Sequence, residues 1–172
     1  HVYLTTTGHT PAANLRAIHA VNLSHGAGLD ATRALVPGAS VGAIHNRQRV
    51  WPEKDTAADR AAAALLDEHW NRAFPDPQLT GCYPPQLAEL IEPYVLGGDL
   101  ARICRPVDWF GLNHYGPIFA RADPNWLWGF AWGNAPDDAP KSDIGWATFP
   151  GAFRDERVDL TQRFHLPVYV PE

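Results

Sequence analysis

Methionine is missing from this chain of 172 residues, cysteine occurs only twice, and no apolar run is long enough to cross a bilayer. Each absence removes a class of protein. A membrane span needs about 18 or more consecutive apolar residues, and no charged-then-apolar leader is visible, so a membrane partner is disfavoured. Cys82 and Cys104 have no CxxC spacing, and in a domain of this size they read as reduced, packed thiols rather than a disulfide framework. Basic residues are outnumbered, 14 against 19 acidic ones, which leaves a net charge of −5 with no Lys or Arg stripe. A nucleic-acid partner is disfavoured accordingly. Glycine-rich phosphate loops, a Gly-x-Ser-x-Gly elbow and a Cys-His nucleophile pair are absent as well.

Histidine is plentiful, and spacing decides what that means. His19 and His25 are six apart on a helical stretch and fall on different faces, and there is no HExxH or His-x-His. The histidines read as packing or hydrogen-bonding residues. Neither a metal nor a cofactor is implied.

What is present is ordinary globular chemistry, 45% apolar and 19% charged. Apolar spacing predicts a helix from Asn14 to Leu35 that Pro37-Gly38 stops, then a strand from Val41 to Val50. A second helix, capped by Asp55, should run through Ala73 until Pro75 ends it. Short helices at Pro84–Ile91 and Gly98–Ile103 precede a strand at Val107–Tyr115, a long loop from Gly116 to Gly145, a helix at Phe153–Phe164 and a strand at Val168–Val170. Strands that alternate with helices imply parallel crossovers and an α/β sheet. No internal repeat or flexible linker divides residues 1–172, so they read as one domain.

Two strands deliver polar groups at their carboxyl ends, where barrel enzymes keep their catalysts. Leu166-Pro-Val-Tyr-Val-Pro-Glu172 ends in a carboxylate, and Val107-Asp-Trp-Phe-Gly-Leu-Asn113-His-Tyr115 ends in an amide and a phenol. The pairing resembles the family 1 glycoside hydrolases, retaining β-glucosidases on a (β/α)8 barrel, where an Asn-x-Tyr strand precedes a strand ending in the nucleophilic Glu. Gly8-His-Thr-Pro11 is similar to the family's Gly-x-His-Ala-Pro-Gly turn, and Ala17–Gly26 to the His-rich helix that follows it. Val41-Gly-Ala-Ile-His-Asn46 resembles the fifth barrel strand, and Asp143-Ile-Gly-Trp146-Ala-Thr-Phe-Pro150 the family's Met-Gly-Trp-x-x-x-Pro segment. Three departures stand out. Pro171 replaces a usual Thr, His114 a frequent Tyr, and the Asn-Gly after the nucleophile is missing because the chain stops.

A complete barrel takes about 250 residues. This chain is shorter, has no Met and begins with His, so the resemblance implies an internal piece covering about strands five to seven with their flanking helices. The acid/base Glu would then lie upstream of His1. The isolated piece is expected to be inactive.

The chemistry that the resemblance implies gives each residue a role. In a retaining glycosidase one carboxylate attacks the anomeric carbon while a second, about 5–5.5 Å away, protonates the leaving oxygen and later activates water. Glu172 would be the attacker, held ionised by a hydrogen bond from Tyr115, with Asn113 fixing the sugar or the other carboxylate. From the residues alone, Glu172 also reads as a strand-end carboxylate facing solvent and Tyr115 as a core aromatic with its hydroxyl at the rim. Asp123-Pro-Asn-Trp126-Leu-Trp128-Gly-Phe-Ala-Trp132 places aromatic rings on the long loop, either as sugar-stacking faces or as anchors to the body. Trp128 is singled out to face the cleft on the leaving-group side, which the family builds from this loop. His45 and Asn46 end another strand and are candidates for the same side, although a strand-end Asn also bonds its own turn.

The expected partner is a β-linked glucoside or related oligosaccharide, and the expected location of the parent is cytoplasmic. A different class also fits these motifs, namely a non-catalytic sugar-binding or scaffold protein on the same barrel. The fourth-strand residue of the parent separates the two.

Overall fold

The computed structural model describes residues 10–171. Glu172, and Gly8 and His9 of the first turn, lie outside the described residues. Two compact units emerge, one from residues 1–42 and 72–108, the other from residues 43–71 and 109–172.

The first unit is helical. Helix α1 (Pro11–Leu35) begins with Pro11 in its first turn and is capped by Thr10, whose hydroxyl accepts the Ala13 N–H at 3.3 Å. Its buried face comprises Asn14, Leu15, Ile18, His19, Asn22, Gly26 and Leu29, so the expected helical period is present but three of its positions are polar. α1 packs on α3 (Pro75–Thr80), α4 (Pro85–Ile91) and α5 (Asp99–Ile103). Gly26 allows the closest of these approaches, because a Cβ there would sit 1.9 Å from the Arg102 carbonyl oxygen.

Two of these polar positions, His19 and Asn22, are satisfied by a buried network. His19 bonds the Tyr83 hydroxyl through Nδ1 (2.9 Å) and Asp99 through Nε2 (3.1 Å). Asn22 donates to Tyr83 (3.1 Å) and to the Ala73 carbonyl (2.9 Å), and accepts from Gln78 (2.8 Å). Burial pushes the Tyr83 phenol up to about 12, and the His19 and Leu96 N–H groups hold the Asp99 carboxyl below the usual range. Pro75 stops one helix and starts the next, which is why sequence spacing missed α3. That helix ends at Gly81 in the left-handed region (φ 75°), and Cys82 directly after it is exposed rather than packed as expected.

The second unit holds the strands. β1 (Gly42–Asn46), β3 (Trp109–Asn113) and β6 (Val168–Tyr169) form one sheet in the order β1-β3-β6. β3 and β6 are parallel, Phe110 opposite Val168 and Gly111 opposite Tyr169. Asp108 N–H donates to Val41 O and Arg47 N–H to Asn113 O, so β1 and β3 also run in the same direction. A second sheet, in the order β2-β4-β5, contains β2 (Val50–Pro52), β4 (Ile118–Ala122) and β5 (Phe130–Trp132).

Two expectations change here. The single strand expected from Val41 to Val50 breaks at residues 47–49, and its halves join different sheets. The expected loop from Gly116 to Gly145 contains β4 and β5, paired antiparallel with Ala120 opposite Trp132. β4 was hidden because its buried residues run consecutively for three positions, too few to declare a period.

Helix α2 (Ala57–Asp67) is capped by Thr56, whose hydroxyl accepts Asp59 N–H at 3.1 Å, and not by Asp55, which pairs with Arg60 instead. α2 widens into a π-helical turn (Glu68–Arg72) that buries Glu68, His69 and Asn71. Helix α6 (Pro150–Phe164) starts three residues earlier than expected, with Pro150 in its first turn. Its Phe164 ring stacks on Phe110 at 5.7 Å, and Phe110, Leu112 and Leu160 are almost wholly buried. Each such side chain contributes about 1.5–3 kcal/mol.

Candidate active site

The carboxyl ends of β1 and β3 carry polar residues of the second unit. Asn113 closes β3 and is half-buried, with its main-chain carbonyl accepting the Arg47 N–H at 3.0 Å. His114 follows, and its Nδ1–H donates to the Arg47 carbonyl at 2.9 Å while its ring lies 5.4 Å from that of Phe153. Tyr115 comes next and is exposed, its ring edge-on to Trp146 at 5.8 Å. Together with Thr148, Phe149 and Phe153, these rings line a cavity of about 250 Å³. Gly116 closes the turn beside it with φ 120°, where a Cβ would press within 2.8 Å of the Ala147 carbonyl oxygen.

β6 lies directly against β3, so the two strands that were expected to deliver Tyr115 and Glu172 are neighbours. Asn113 is two residues beyond Gly111, and Glu172 three beyond Tyr169, its parallel partner. The Glu172 carboxylate itself is outside the described residues.

The remaining candidates are spread over the unit. Asn46 ends β1 and is exposed. His45 is half-buried with its ring 4.9 Å from that of Phe110, on the sheet. Trp128 packs its indole on His69 of the π-turn at 4.7 Å with its Nε1 buried, the geometry of a loop anchor. His69 donates its Nδ1–H to the Leu65 carbonyl at 3.0 Å, and burial holds its pKa below the ordinary histidine value. Among the described residues, no group of three His, Cys, Asp or Glu side chains is placed to hold a metal ion. No described helix is long and apolar enough to cross a membrane.

Sequence reasoning missed the buried polar knot at the break after β1. The Arg47 side chain is only 3% exposed and bonds Glu156 (2.6 Å) and Asp159 (3.2 Å) of α6. Gln48 has its main-chain N–H on Asn71 Oδ1 (3.0 Å) and its carbonyl on Asn71 Nδ2 (2.6 Å), while its side chain bonds Trp70 and Asn46. An Arg-Gln pair after a strand reads locally as a solvated turn. Only the distant partners reveal otherwise.

The model of the family described as Glycosyl hydrolase family 1 matches residues 3–172. A beta-glucosidase from Agrobacterium sp. is 36% identical over 169 residues, covering 93% of this chain and 36% of that protein. Virulence factor SghA from Agrobacterium tumefaciens has a solved structure that superposes with a TM-score of 0.84 at 32% identity, over 99% of this chain and 40% of that one. SghA in complex with its substrate analog salicin gives 0.82 at the same identity, over 99% and 39%. The chain thus spans well under half the length of these relatives. Its fold is α/β and forms part of the (β/α)8 barrel that they share. A match over nearly its whole length, on parallel strands that carry Asn113 and Tyr115 at their ends, shows that this chain belongs to glycosyl hydrolase family 1.

Proposed function

We propose that this chain is the nucleophile-bearing part of a retaining β-glucosidase, a complete barrel that splits β-glycosidic bonds through a covalent glycosyl-enzyme intermediate. Glu172 attacks the anomeric carbon and forms a glycosyl ester as the bond to the leaving oxygen breaks. A second carboxylate, supplied by the rest of the barrel, gives that oxygen its proton and then takes one from the water that frees the sugar. Tyr115 donates a hydrogen bond that keeps Glu172 ionised and aimed, and Asn113 holds the sugar or the second carboxylate. Asn46 and His45 serve the leaving-group side, and the exposed Trp146 edge beside Tyr115 offers an apolar face to a small glycoside such as the salicin carried by SghA.

The observation that supports this reading is the parallel pairing of β3 with β6, the strands after which Tyr115 and Glu172 follow in the sequence. The test uses the complete barrel and an aryl β-glucoside. Rapid release of the aglycone in the first turnover, lost in Glu172→Gln, is the expected result. Hydrolysis that survives Glu172→Gln overturns the assignment.

A further inference from the structure

The polar knot after β1 has a direction, set by chemistry. The Trp70 indole N–H is a donor only, so the Gln48 atom facing it must be the carbonyl Oε1. The other end of that amide, Nε2, is therefore a donor, and the Asn46 atom it meets must be Oδ1. This leaves both N–H groups of Asn46 Nδ2 pointing away from the knot, and among the described residues they have no partner. Asn46 is exposed at the end of β1, one residue from Arg47, whose N–H is bonded to the Asn113 carbonyl.

Nothing in this chain of bonds can turn round freely. Gln48 is 4% exposed and its main-chain N–H and C=O are both taken by Asn71, which also donates to Asp67 at 2.7 Å. Trp70 is wedged edge-on against Trp132 at 5.2 Å. Both Trp70 and Asn71 belong to the π-helical turn, a widening that costs helix geometry and is common at functional sites.

We infer that Trp70 and Gln48 are positioning residues that fix Asn46 as a donor-only group, so that the leaving-group side favours substrates that present acceptor oxygens there, a second sugar above all. This rests on the glycosidase reading and adds to it a class of leaving group. An aglycone without acceptor oxygens gains nothing from Asn46, whereas a sugar hydroxyl accepts its N–H.

The test compares a disaccharide with an aryl glucoside in the complete barrel. Gln48→Glu keeps an acceptor for Trp70 but presents a second acceptor to Asn46, which must then flip and turn Oδ1 outward. We expect kcat/KM for cellobiose to fall about tenfold relative to phenyl β-glucoside, the worth of about one hydrogen bond. Trp70→Phe, which keeps the ring and removes only the N–H, should move the same ratio in the same direction by about threefold. It decides the matter if the buried charge of Gln48→Glu lowers the melting temperature enough to prevent assay. Variants that slow both substrates equally, or neither, reduce Trp70 and Gln48 to structural residues and overturn the inference alone. A wild-type barrel that cleaves neither substrate overturns the glycosidase reading as well.

Discussion

The helical unit and the strand-bearing unit both bury a hydrogen-bonded polar network, but the networks end differently. In the helical unit, His19, Asn22, Gln78, Tyr83 and Asp99 are all buried, and their side chains bond one another and the Ala73 carbonyl, with Asp99 also accepting from Leu96 N–H and from Arg102 of its own helix. In the strand-bearing unit the network starts as deep, at Arg47, Gln48 and Asn71, but runs out to exposed Asn46, and its neighbour strand runs out to exposed Tyr115. A network whose polar groups bond only within their own unit holds elements together. An open one can also offer a fixed, oriented atom to a ligand, and the tyrosines make the contrast plain. Tyr83 has its hydroxyl occupied on both sides and its phenol pushed up to about 12, while Tyr115 stands at the rim of a cavity.

The sharpest way to break this comparison is at the open end. In the complete barrel Glu172→Gln should abolish aryl glucoside hydrolysis with an unchanged circular dichroism spectrum, since an amide cannot form the glycosyl ester. Tyr115→Phe should cost a charge-assisted bond of about 1.5–3 kcal/mol, roughly ten- to more than a hundredfold in kcat. If Tyr115→Phe proved as damaging as Glu172→Gln, the division of roles between them would be wrong.

Next in size is the buried ion pair. Arg47→Met strands Glu156, which is 1% exposed, and should cost about 3–5 kcal/mol in urea unfolding. Adding Glu156→Leu should recover most of that, because two apolar side chains replace a pair that was costly to desolvate. A double variant no more stable than Arg47→Met would show that the lost stability came from packing and not from the uncompensated charge.

The closed network should answer with stability alone. Tyr83→Phe removes the acceptor of Asn22 and the partner of His19, so unfolding should become easier by about 1–3 kcal/mol. Its kcat should stay at the wild-type value. A change in kcat without a change in melting temperature would erase the distinction between the two units.

The smallest effect is pH-dependent. Burial lowers the His69 pKa in the folded state below the ordinary value of 6.5. Above that value both states are neutral there and His69 contributes no pH dependence. As pH falls below it the unfolded chain takes a proton that the folded one refuses, so stability declines by at most about 1.4 kcal/mol per pH unit until the folded pKa is reached. His69→Phe should flatten that part of the stability profile. An unaltered acid slope would assign it to other groups.

Several elements were legible before any coordinates. Helices α1 and α6 were expected and are present, each beginning three residues earlier than the sequence suggested, at Pro11 and Pro150. β3 and β6 fall within the runs that end in Tyr115 and Glu172, and the order of motifs pointed to the right family. The break at residues 47–49 was not legible, because Val41 to Val50 reads as one extended run and only pairing with β3 on one side and β4 on the other divides it. Trp128 was expected on the leaving-group side because the family builds that side from its loop, and its indole packs on His69, a residue on another element.

What the sequence determined by itself was therefore local, with one exception. Helix starts and stops follow from capping and from proline within a few residues, and the Asn-x-Tyr and terminal Glu stretches carry their chemistry wherever they are placed. Family order extended that to which strands belong together. The tertiary structure alone decided which polar residues are buried, which face out, and in what orientation. Arg47 has its partner more than a hundred positions away at Glu156, and the outward N–H groups of Asn46 depend on Trp70 through Gln48. Such bonds form only once the chain has brought remote residues within about 3 Å, and no local pattern records that distance.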